Sequence, residues 1–199
     1  MQRRGLYTGT RNLLAGAMLA AMLLLAGPAR AQETTVKFDP AKTTISWTLG
    51  DVLHTVHGTF QLTSGTITFN ETTGAASGEL VVSAASGDSG NGMRDRKMKK
   101  EILQVVKFPD VVFLPKKVIG HVAPEGNSVV NVEGIFRIHG IDHPLTLNVP
   151  VTVHGSQITM TTGFGVPYVA WGMKDPSTFV LRVEKVVQVS IQGAGEIER

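Results

Sequence analysis

The sequence predicts an all-β protein: an antiparallel barrel of about eight strands carrying one helix between strands. Three observations lead there. Between Thr44 and Gly193 apolar residues fall at every second position in one segment after another, so each strand has one wet and one dry face. Glycine or a cluster of Asn, Asp, Gly and Pro separates the segments. Helical spacing occurs in only one stretch, Met93 to Lys107, with Met98, Ile102, Val105 and Val106 at steps of three and four. One helix cannot cover so large a sheet, so the sheet must curl into a barrel or fold over as a two-sheet sandwich. Large apolar rings at the inward positions, with few polar partners, tip the choice to a barrel, whose interior at this strand number is either filled or holds one small ligand.

The elements follow in order. Arg3, Arg4 and Arg11 form a positive n-region, Leu13 to Ala26 an apolar h-region, and Ala29, Arg30 and Ala31 an A-x-A cleavage site, so residues 1–31 read as a secretory signal peptide. Residues 32–199 read as a single domain. Gln32 to Lys37 reads as a loose leader and Phe38 to Lys42 as a turn. A hairpin runs from Thr43 to Leu62 around Gly50 and Asp51, and the chain returns from Gly65 to Phe69 before a turn at Asn70 to Gly74. Gly78 to Ala84 is a strand and Gly87 to Gly92 a loop. The helix then ends at Phe108, because the residue before Pro109 is pushed out of the helical region. Four strands follow, Val111 to Val118, Ser128 to His139, Leu145 to His154 and Gln157 to Phe164, with turns at Pro124 to Asn127, Gly140 to Pro144 and Gly155 to Ser156. After a loop from Trp171 to Ser177, Thr178 to Val183 and Val186 to Gln192 form a final pair.

The same period assigns the dry faces: Ile45, Trp47 and Leu49; Val56, Phe60 and Leu62; Ile67 and Phe69; Val132, Phe136 and Ile138; Phe179, Leu181 and Val183.

Charge and cysteine usage narrow the class. Of 19 basic residues, Arg3, Arg4, Arg11 and Arg30 leave with the signal, so 15 face 16 acids and the balance is −1. Nucleic-acid binding, which needs surplus positive charge over a surface, gains no support. Cysteine is absent, which excludes thiolate metal sites, thiol nucleophiles and a lipid-modified N-terminal cysteine. The expected location is the periplasm, or outside the cell, with no stable membrane insertion once the signal is cleaved.

Candidate sites are few. His54 and His57, and His139 and His143, have metal-like spacings, but residues three apart on a strand point to opposite faces, so no metal is expected and His54 is read as partly buried beside Val56 and Phe60. No G-x-S-x-G elbow occurs, and no serine, histidine and acid are forced together, so no catalytic residue is assigned. The densest charge is the run Arg94 to Lys100, five basic residues beginning the helix. It reads as a solvated face, as a site for a phosphate or lipid head group, or, at Arg94 and Asp95, as a structural clamp.

Several strings together resemble the YceI-like family: His54 to Phe60 (HTVHGTF), Gly90 and Asn91 followed by Arg94 and Asp95, Phe108-Pro109 before a strand, Gly134 to Gly140, and Trp171 to Pro176. The resemblance spans Val36 to about Gly195. It implies a lipocalin-like antiparallel barrel in the bacterial periplasm, with an elongated apolar cavity for a polyisoprenoid or quinone-like lipid and a helix near its mouth. Gly50 stands where the better-known branch carries a histidine.

The resulting expectation is a non-catalytic lipid carrier without cofactor, compatible with a homodimer. Trp47, Phe60, Phe113, Phe136, Phe164 and Phe179 line its pocket, and Arg94 meets a polar head. The alternative is a structural or stress-related barrel whose interior these rings fill; a metal-binding protein or enzyme comes third.

Overall fold

Alternation of this kind closes on itself in the computed structural model, which describes residues 33–51, 54–179 and 182–199. The stretch read as a signal peptide lies outside those residues. Nine antiparallel strands are described: β1 (Glu33–Phe38), β2 (Thr44–Gly50), β3 (Thr55–Asn70), β4 (Ala76–Asp88), β5 (Asp110–Ile119), β6 (Gly126–Ile138), β7 (Ile141–His154), β8 (Gln157–Val166) and β9 (Val187–Glu198). From β3 to β9 each strand pairs with its neighbour in sequence. β1 and β2 share one position, because each pairs with a different stretch of β3 on one side and of β9 on the other. A single 3-10 turn, Pro40–Lys42, capped by the Asp39 carboxylate, joins them. Nine strands thus make eight staves and a closed barrel without a free edge.

The period-two reading holds through most of this frame, with five local corrections. Residues 33–37 are a strand, not a leader. Its alternation is carried by Thr34, with no exposed surface, and Val36, and threonine does not register as apolar in a sequence pattern. The chain does not break between Leu62 and Gly65: a β-bulge lies there inside a continuous β3, where the register shifts between Leu62 and Ser64. That shift is why the inward positions change from even numbers (Phe60, Leu62) to odd (Ile67, Phe69).

The helix is shorter than its spacing suggests. α1 spans Gly92–Lys97, widens into a π-helical turn at Met98–Ile102, and stops at Leu103, after which Gln104 is left-handed at φ 50°. Met98, Ile102 and Val105 pack inward, but Val106 lies beyond that stop and is fully exposed. The β6–β7 connection is a two-residue turn at His139 (φ 53°) and Gly140 (φ 75°), so Pro144 lies within β7.

Finally, the strand expected at Thr178 to Val183 is not found among the described residues: Thr178 and Phe179 belong to no strand, and Val183 meets the sheet through one isolated bridge, to Asp51; Val180 and Leu181 lie outside the described residues. β9 carries the closure alone and runs on to Glu198.

Candidate functional site

The inward side chains form two packed groups. One, around Phe69, Val132, Leu147, Val151 and Ile158, belongs to the barrel wall. The other gathers Leu103, Ile138, Val166, Tyr168 and Met173 with Met98 and Ile102, so the helical segment and the 167–173 turn together cover one end of the barrel.

Within the wall lies a cavity of about 120 Å³. Among the described residues that line it, all but Thr43, Thr162 and Gly193 are apolar, and none titrates. The two hydroxyls are already engaged: Thr162 donates to the Asn148 carbonyl at 2.9 Å, and Thr43 accepts from the Ala194 N–H at 3.5 Å. A surface of this kind offers nothing to a sugar, a nucleotide or an ion, and no acid or base within reach of a bound molecule.

Of the residues singled out from sequence, Phe113, Phe136 and Phe164 line this cavity. The Phe113 ring lies over Gly134, where an added Cβ would meet its Cζ at 2.6 Å, so this glycine is the space that the ring occupies. Phe136 and Phe164 meet edge to face at 5.4 Å, and Phe136 reaches Trp171 of the cover at 5.9 Å. Trp171 in turn stacks on His143 at 4.0 Å and 10°, so an aromatic ladder climbs from cavity to rim.

Trp47 and Phe60 point inward but do not line the cavity. On β2, Trp47 stands between Ile45, a lining residue, and Leu49, which packs with the cover. It is paired directly with Gly58, and its indole lies so close that a Cβ there would sit 2.3 Å from Cζ2. The glycine of the HTVHGTF string is therefore the seat of Trp47. Trp47 is 5% exposed and its Nε1 has no hydrogen-bond partner.

Two expected positions fall outside. Phe179 is wholly exposed and belongs to no described strand that would turn it inward. Arg94 sits on the rim, where its Nε donates to the Ser89 hydroxyl and its Nη2 to the Ser89 carbonyl, both at 2.8 Å. Asp95, 9% exposed, accepts from the Ser89 N–H and hydroxyl, and Asn91 caps the helix through the N–H groups of Met93 and Arg94. The Gly-Asn-x-x-Arg-Asp string thus fastens the start of the cover to the loop after β4.

The histidines are dispersed. His54 precedes β3, so its side chain is exposed rather than packed beside Val56, while His57 pairs with the Thr48 hydroxyl at 3.3 Å. Among the described residues no group of three or more His, Cys, Asp and Glu has metal-binding geometry. His139 packs on Phe108 at 4.5 Å, and burial first, then nearby Lys107, holds its pKa below the usual value.

The sequence reading missed the aliphatic majority of the lining, including Leu80, Val82, Leu145, Leu147 and Met160, because it followed aromatic rings. It also missed Tyr168, whose hydroxyl donates to the Glu184 carbonyl at 2.9 Å and whose pKa burial and Asp175 push up to about 12.

A family model described as a YceI-like domain matches residues 36–194. Among solved structures the chain is similar to BcnA of Burkholderia cenocepacia, with 19% identity over 79% of this chain and 98% of that one, and a TM-score of 0.64. It is also similar to a polyisoprenoid binding domain from Saccharophagus degradans, implicated in plant cell wall breakdown, with 13% identity over 81% and 97% and a TM-score of 0.61. A Campylobacter jejuni YCEI protein matches with 15% identity over 70% and 81%, and a TM-score of 0.53. No curated protein matches the sequence.

Proposed function

The chain belongs to the YceI-like family, and from that premise we propose that it is an exported, non-catalytic carrier of an apolar isoprenoid or quinone-like lipid. In this reading residues 1–31 are removed on export and residues 32–199 act as one binding domain in the periplasm. The observation that carries the proposal is the cavity, whose lining is apolar and free of any titratable group. Such a lining gains affinity from burial, about 0.8 kcal/mol per methylene, and needs few polar contacts.

Two further details support it. The polyisoprenoid binding domain of S. degradans has the same architecture. The unpartnered Trp47 N–H stands outside the cavity lining, between it and the cover, so an oxygen acceptor on an otherwise apolar ligand, as in a quinone, would satisfy it once the cover moves.

The cavity volume supports a second reading. A dry cavity of about 150 Å³ binds a single benzene, so 120 Å³ admits one ring or one isoprene unit while the cover stays shut. A longer chain requires the cover to move; a barrel that never opens would be the filled, structural alternative.

Native mass spectrometry of protein purified from its own periplasm, followed by organic extraction, distinguishes them. The carrier yields a stoichiometric lipid and saturable binding of isoprenoid quinones. Absence of both sinks the proposal.

A further inference from the structure

The outer face of the cover is as distinctive as its inner one. Met98, Ile102 and Leu103 turn inward with the buried Asp95. Met93, Arg96, Lys97 and Lys100, spaced at three and four residues, share the opposite face and are exposed. The two acids of this segment are already engaged, Asp95 by Ser89 and Glu101 by Lys174 at 2.6 Å. Arg96, Lys97 and Lys100 make no ion pair within 4 Å among the described residues, although Lys97 and Lys100, after Lys174, help to hold the Glu101 pKa below its usual value. Met93 is 73% exposed, and Val106, just beyond the helical segment, is 100% exposed. Residues 32–199 carry 15 basic and 16 acidic side chains, so this basic face is a local asymmetry and not a property of the whole chain.

We propose that this face docks the barrel on an anionic lipid bilayer, with Arg96, Lys97 and Lys100 at the head groups and Met93 entering the interface. The inference rests on the carrier reading above, since it places the covered end of an apolar cavity against the phase from which an apolar lipid would come. A bilayer fits the face better than an acidic protein does. A stable protein interface needs a contiguous apolar centre within about 800 Å² per partner, and here a single exposed apolar side chain, Met93, accompanies a narrow basic stripe. Interfacial attachment combines isolated apolar anchors with basic side chains in this manner, each charge strengthening attraction roughly fivefold. Reversible docking needs no spanning segment, and no described helix is long and apolar enough to cross a membrane.

The test is co-sedimentation of the exported protein with phosphatidylglycerol vesicles and with phosphatidylcholine vesicles, at low and high salt, beside its R96Q/K97Q/K100Q variant. The expected result is at least about tenfold preference for the anionic vesicles, abolished by salt and lost in the triple variant. Met93→Ser should weaken attachment at unchanged charge. Quinone binding in vesicle-free solution and the melting temperature should be the same for wild type and triple variant, so that a failure of docking is separable from a failure of the carrier reading. Equal binding of both vesicle types, or retention by the triple variant, overturns the proposal. So does a concentration-dependent sedimentation coefficient that the triple variant abolishes, which would assign the face to a second copy.

Discussion

Trp47 and Gly58 form a pair in which one residue exists to make room for the other. Adding a methyl at Gly58 collides with the indole ring and with the Asp88 carbonyl, 2.5 Å from the added carbon, so neither side can give without moving backbone. Gly58→Ala should therefore destabilise the fold by about 1–3 kcal/mol in chemical denaturation. Trp47→Phe should recover part of that loss in the Gly58→Ala background while costing stability alone, a coupling that a double-mutant cycle reads directly.

His139 makes a second prediction at this scale. Its pKa is lowered in the folded state, so between the folded value and the unfolded value near 6.5 the unfolded chain holds a proton that the native chain does not. The contribution is complete above about pH 6.5 and declines as pH falls through that window. Urea titrations across the window should show a shallower slope for His139→Gln; an unchanged slope would refute the assignment.

At the scale of elements, the cover segment is held at both ends by specific devices. At its start, Asn91 satisfies two helix N–H groups, and Asn91→Ala should cost about 1 kcal/mol. At its end, Gln104 occupies a left-handed conformation that only glycine adopts without penalty. Gln104→Gly should raise the unfolding free energy by up to about 1 kcal/mol, read as a higher denaturation midpoint with an unchanged m-value. If loading requires the cover to move, the same substitution should change the rate of quinone uptake more than its affinity, which stopped-flow tryptophan fluorescence can measure.

Over the whole molecule, closure and volume decide what the barrel can do. Val149 lines the cavity and is buried, so Val149→Phe should fill free space. Because the void already exists, the expected cost is below about 1.5 kcal/mol, and saturable quinone binding should be lost. Retained binding would place the ligand elsewhere. Closure can be tested independently by deleting residues 33–38, which unpairs the β1-facing stretches of both β3 and β9. The truncated barrel should melt well below the intact one and aggregate through its exposed edges.

What the sequence determined by itself was much of what short-range periodicity carries. The dry faces of β2, β6 and most of β3, the turns at Asn70 to Gly74 and Gly155 to Ser156, and the inward stripe Met98, Ile102 and Val105 follow from which residues lie two, three or four positions apart. Residues that depend on a distant partner were not legible. Thr34 joins the interior because Glu71 accepts its hydroxyl at 2.6 Å, and β1 is a strand because β3 and β9 both need it there. Phe179 has the alternation of a strand but no neighbour to pair with, and ends in solvent. Only the tertiary structure decided that Phe113, Phe136 and Phe164 surround a void while Trp47 and Phe60 sit outside its lining. Alternation fixes which side of the sheet a ring is on. How far it reaches toward the barrel axis depends on closure and register, set by hydrogen bonds between residues far apart in the chain.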